Sequence, residues 1–128
     1  MSVIVRDDGF HADDLDAATL AEGQRIDIPQ DTAPESLPDV SGARLVTVAF
    51  PSFSDGRGFT LARHLRAAGY GGRLRAVGHV IADQYAMARR CGFDEVEISD
   101  DLAARQPADQ WRFRADWQAN DYQKRLRA

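Results

Sequence analysis

The run Leu45–Phe50 (LVTVAF) is apolar at almost every position, the pattern of a strand covered on both faces. Helical spacing follows it. Leu61, Ala62, Leu65 and Ala68 fall on one face, Arg63, Arg66 and Ala67 turn away, and Gly69 stops the helix. Residues 74–80 (LRAVGHV) read as a second strand. Asp83 then stands at an N-cap position. Gln84, Met87, Ala88 and Cys91 share the next helical face, and Gly92 ends that helix. Residues 94–98 form the third strand, in which Glu95–Ile98 alternates polar and apolar as a strand with one exposed face does. Asp100 or Asp101 caps a short helix that stops before Pro107. The order β-α-β-α-β predicts an α/β fold with a small parallel sheet and right-handed crossovers. Two architectures stay open: a small doubly wound sheet, or a fragment of a (β/α) barrel completed by the N-terminal strands or a partner chain.

The ends of the chain are less regular. Residues 1–40 read as an irregular N-terminal layer on a single 1–128 domain. It holds short strands at Val3–Arg6 and Arg25–Ile28, a turn at Asp7-Asp8-Gly9 and a helical turn within Asp13–Glu22. An acidic, proline-bearing loop from Pro29 to Pro38 follows. The tail, 108–128, is helical by propensity. It carries Trp111, Phe113, Trp117 and Tyr122 without one clean stripe, interleaved with Arg112, Arg114, Lys124, Arg125 and Arg127. Its aromatic residues either pack on the protein's own core or dock a partner.

Composition narrows the function classes. A chain of 128 residues, 44% hydrophobic and 28% charged, can bury a core without disulfides or metals. The net charge of −4 offers no basic field for nucleic acid. No apolar run reaches the roughly 20 residues that span a bilayer. The start MSVIVRDDGF lacks a secretory pattern, so a cytoplasmic location is expected. The single cysteine, Cys91, cannot form an internal disulfide or a CxxC pair, and its place at a helix C-terminus reads as structural.

In open parallel sheets ligands bind beyond the C-terminal ends of the strands. Here those ends lead into Pro51–Gly58, Ile81–Gln84 and Ser99–Asp101, three polar loops on one edge. Gly56 and Gly58 allow close backbone approach before a helix N-terminus, where free N–H groups favour an anion. Ser52, Ser54, Asp55 and Arg57 add polar groups, and Asp83 and Gln84 face them from the second loop. The loop is neither a P-loop nor GxGxxG. Its plain alternative is a turn in which Ser54 or Asp55 caps the helix. His79 reads either as a general base or, more simply, as a satisfied histidine near a strand end. His79, Asp83 and Asp100 together make only a weak metal constellation, and no metal is assigned.

The segments Phe50–Phe59 (FPSFSDGRGF), Leu74–Gly78, Asp83-Gln84 and Arg90–Asp94 resemble the signature of a bacterial family of unknown function. The likeness runs from Val46 to Ile98, with a weaker echo at Asp121-Tyr122-Gln123. That family often carries Asp where this chain has His79. Its members are commonly encoded beside assimilatory sulfite reductase and sulfonucleotide reductase, and are labelled as oxidoreductases of sulfite reduction. The resemblance thus implies an accessory protein of sulfate and sulfite reduction, binding an oxyanion or small phosphorylated ligand and a reductase partner. The alternative is a small oxidoreductase, which would need a bound flavin or nicotinamide, because these side chains store no electrons. A flavin phosphate would then sit at Gly56–Phe59. A structural homodimer with a merely solvated edge is the third reading.

Overall fold

The computed structural model describes residues 2–14, 20, 24–53 and 56–114. Six strands form one sheet in the order β2-β1-β6-β5-β4-β3. The strands are β1 (Ser2–Arg6), β2 (Gly9–His11), β3 (Arg25–Ile28), β4 (Leu45–Phe50), β5 (Arg73–Gly78) and β6 (Glu95–Ser99). Strands β3 to β6 are parallel neighbours in chain order, and β1 joins β6 antiparallel. The α/β class, the parallel β-α-β-α-β centre and the short N-terminal strands all match the expectation from sequence. Strand β2 was not foreseen: the turn at Asp7-Asp8 is the tip of a β1–β2 hairpin.

Each parallel strand lies beside the one before it, always stepping the same way across the sheet. Helices α1 (Arg57–Ala67) and α2 (Tyr85–Cys91) pack into a single core with Val46, Val48, Phe50, Leu74, Ala76, Val96 and Ile98. Both crossovers therefore cover one face. The sheet is singly wound, with the topology of a barrel fragment. A doubly wound sheet would put its helices on opposite faces.

The other face is filled by charge. Arg75 and Glu95 are fully shielded, at 0% and 1% exposure, and join Nε to Oε2 at 2.6 Å. Arg75 also donates to Asp13 at 3.0 Å and to Glu97 at 3.0 Å, and Arg6 donates to Glu95 at 3.1 Å. Asp14 accepts from Arg6 and Arg73, both at 2.7 Å. Ile4 and Leu45 are buried on this face too. This corrects the reading of Glu95–Ile98 as half exposed. Its polar positions point into an ion network, where hydrogen-bonded cations make a buried carboxylate tolerable. Burial acts to lower the Arg75 pKa, but the acids around it outweigh that and raise it. Burial acts to raise the Asp14 carboxyl, and the two arginines bring it down to about 2.

Several local expectations shift. Strand β5 ends at Gly78 and stops short of Val80. Gly78 has φ +118°, and a Cβ there would stand 2.6 Å from the Phe50 carbonyl oxygen, so only glycine fits this crossing. Asp83 is not an N-cap. It lies inside a 3-10 turn, Ala82–Gln84, that precedes α2. That turn shifts the phase of the helix: Tyr85, Ala88 and Cys91 face the core, while Met87 is 42% exposed. Ala68 lies exposed at the end of α1. Helix α3 (Asp100–Arg105) is capped by Ser99, whose Oγ accepts from the Leu102 amide at 3.2 Å, and neither Asp100 nor Asp101 caps it. It ends before Pro107 as expected.

In α4 (Ala108–Arg114) Trp111 is fully buried, edge-on to Tyr85 at 5.9 Å, and its indole donates to the Gln106 carbonyl at 2.8 Å. It serves this protein's own core. Most of Asp13–Glu22, the side chains of Phe113 and Arg114, and residues 115–128 with Trp117 and Tyr122 lie outside the described residues. Among the described residues no helix is long and apolar enough to cross a membrane.

Candidate functional site

The C-terminal ends of the parallel strands do share one edge, and two of the three connections there are tied together. After β4 the chain turns through Pro51, Ser52 and Phe53, all exposed. After β5, His79 donates its amide to the Phe50 carbonyl at 2.7 Å and meets the Phe53 ring edge-on at 5.2 Å. Gln84 completes the join. Its Nε2 donates to the Phe53 carbonyl at 2.8 Å, and its Oε1 accepts from the Ile81 amide at 3.1 Å. Both ends of this amide thus hold backbone.

The third connection is absent as a loop, because β6 runs straight into α3. Asp100 sits exposed in the first turn of that helix, where its charge complements the dipole. It makes no hydrogen bond or ion pair with His79, Asp83 or Arg57 among the described residues. Among the described residues, which leave out Asp55, no three His, Cys, Asp or Glu side chains gather closely enough to hold a metal ion.

Of the two glycines of the first loop, Gly58 has a packing reason of its own. Gly58 is buried, and a Cβ on it would lie 2.5 Å from Cζ of Phe50. It lets α1 close onto the sheet. Gly56, at the N-cap, has an ordinary φ of −89°, and a Cβ there would meet nothing nearer than Phe59 at 3.9 Å. Arg57 opens α1, exposed, in a first turn without acidic residues. Ser54 and Asp55 lie outside the described residues.

Beside this edge, between α1 and α2, runs a cleft of about 510 Å³. Phe59, Thr60 and Arg63 form one wall, and Asp83, Gln84, Met87 and Cys91 the other. Arg63 spans it, donating Nε to the buried Cys91 sulfur at 3.3 Å, with Met87 Sδ at 4.0 Å from Nη2. Among the described residues, Phe53 at 44% and Met87 at 42% are the exposed large apolar side chains. Gln84 binds the backbone carbonyl of Phe53 and stands three residues before Met87. Sequence reasoning missed both. Phe53 stands in a loop whose other residues are mostly polar, and unbroken helical spacing puts Met87 on the core face, because the 3-10 turn Ala82–Gln84 carries no sequence signal.

The sequence pattern of a bacterial family of unknown function, DUF934, matches residues 25–128. The chain belongs to this family. No curated protein and no solved structure matches it. The match takes in β3 through α4 and so covers the edge, the cleft and every candidate residue above.

Proposed function

We propose that this DUF934 protein is an accessory component of sulfate and sulfite reduction, one that docks on a reductase through its sheet edge and holds a small oxyanion or phosphorylated ligand there. The observation that carries the reading is the tie from the Gln84 side chain to the Phe53 carbonyl at 2.8 Å, with Phe53 exposed on one side of it and Met87 exposed three residues after Gln84. An exposed Phe53 whose backbone Gln84 holds, and an exposed Met87 on the helix that follows Gln84, offer apolar contact area near the ligand-prone end of a parallel sheet. Aromatic residues and methionine are enriched at protein interfaces. Arg57 and Arg63 supply positive charge on α1 beside it, as an oxyanion requires. The connection with sulfur comes from the likeness to proteins encoded beside sulfite and sulfonucleotide reductases.

The test is affinity capture of the tagged chain from cells growing on sulfate, with an absorbance spectrum of the eluate. Capture of either reductase by a colourless chain, lost in Phe53→Ser/Met87→Ser, supports the docking reading. Arg57→Ala is expected to slow growth on sulfate while leaving the fold intact. A chain that captures neither reductase refutes it. A yellow chain captured alone moves the function to a flavin-dependent oxidoreductase.

A further inference from the structure

On the face away from the helices, the Arg75 network covers β1, β5 and β6. Over β3, β4 and the end of β5 it gives way to a hollow of about 310 Å³, at the small end of the roughly 300–1,000 Å³ typical of small-molecule sites. Its floor is apolar. Ala49 and Val77 stand side by side in register, with Ile28 and Pro29 at the rim. Its polar wall is Arg25, Asp27, Thr47 and Gln30.

The wall is only partly satisfied by the protein. Asp27 Oδ1 accepts from the buried Thr47 hydroxyl at 2.5 Å and from Arg25 Nε at 2.9 Å. These bonds fix the carboxylate over the sheet. Among the described residues, Asp27 Oδ2, the terminal nitrogens of Arg25 and the amide of Gln30 have no protein partner. An acceptor therefore stands beside donors next to an apolar floor, both open to solvent, with the Asp27 side chain 65% and the Arg25 side chain 32% exposed.

We propose that this hollow binds a planar nitrogen heterocycle through a lactam edge, an N–H next to a carbonyl, as guanine, uracil and isoalloxazine rings present. The N–H donates to Asp27 Oδ2. The carbonyl accepts from Arg25 or Gln30. The ring lies on Ala49 and Val77. A ring offering only acceptors leaves the Asp27 charge facing lone pairs, and a ring offering only donors leaves Arg25 unmatched.

The site is distinct from the edge at Phe53 and Met87, and its test is separate. The full chain is titrated with guanosine by calorimetry and with riboflavin by fluorescence. Each is compared with its N-methylated counterpart, 1-methylguanosine or 3-methylriboflavin, which keeps the carbonyl and loses the donor. One parent is expected to bind, with its methyl analogue weaker by about tenfold or more, the effect of one lost hydrogen bond to a charged group. Which parent binds separates a nucleobase from a flavin. Ala49→Leu, which fills the hollow, is expected to abolish binding. Asp27→Asn, which keeps the side-chain size, is expected to weaken it, and decides the matter if Ala49→Leu melts early. The Phe53→Ser/Met87→Ser variant is expected to bind as wild type. The proposal is overturned if neither parent binds, if the methyl analogue binds equally, or if both hollow variants bind unchanged.

Discussion

Arg75 and Glu95 sit opposite each other on β5 and β6, paired at 2.6 Å with neither side chain reaching water. Such a pair contributes little compared with an apolar pair of the same size, but breaking it strands a charge. Arg75→Met is therefore expected to cost about 3–5 kcal/mol in urea unfolding, because it leaves Glu95 buried without this partner. Adding Glu95→Leu should recover part of the loss. A single variant as stable as wild type would show that Arg6 and Arg73 suffice to hold Glu95.

The two glycines of the first loop make a paired experiment. Gly58→Ala drives a methyl into the Phe50 ring, and overpacking of this kind costs about 1–3 kcal/mol. Phe50→Leu in the same chain should relieve it. Gly56→Ala meets no neighbour within ordinary contact except Phe59, so its stability should stay within about 0.5 kcal/mol of wild type. Thermal melts of the three variants check this. Equal losses at both positions would mean that α1 does not close onto β4 through Gly58.

What the sequence made legible follows from local physics. LVTVAF declared β4 because a strand covered on both faces is apolar throughout, and Gly69 and Gly92 marked helix ends because each takes a positive φ. The misreadings arose where a distant partner changes what a residue means. Glu95 reads as a solvent-facing position until Arg75 is placed beside it, and that needs the sheet order. The tie from Gln84 to the Phe53 carbonyl at 2.8 Å likewise has no sequence signal, because it needs two loops placed side by side. The clustering of loops was visible from strand order alone, yet β6 runs into α3 without a loop. The hollow over Ala49 and Val77 had no sequence signal, because small residues on a strand announce nothing until the neighbouring strand supplies the wall.

Acid stability should carry the mark of Asp14. Its folded pKa lies at about 2, below its ordinary value of 3.8, through Arg73 and Arg6. A depressed carboxyl stabilises the fold above its unfolded pKa and loses that contribution as pH falls toward the folded value. The window is therefore from about pH 4 down to about pH 2. Asp14 is 47% exposed, so solvent screening holds the effect to about 1 kcal/mol or less. Asp14→Asn is expected to flatten the melting-temperature profile across that window and to lower it slightly at neutral pH. An unchanged acid limb would assign the slope to the other acids of the network.

Trp111 separates a core residue from a docking residue. It is fully buried against Tyr85, whose hydroxyl donates to Asp7 at 2.5 Å. Burial first, then that bond, raises the Tyr85 pKa, so the phenol stays protonated and the contact is insensitive to ordinary alkaline pH. Trp111→Ala should cost about 3–5 kcal/mol, as deletion of a large buried aromatic does. Trp111→Phe should cost less, because it keeps the ring contact and loses only the indole bond to Gln106. In both variants, capture of a reductase should follow the folded fraction, since the contact surface at Phe53 and Met87 is untouched. Loss of capture in a fully folded Trp111→Phe chain would instead place part of the docking surface on α4.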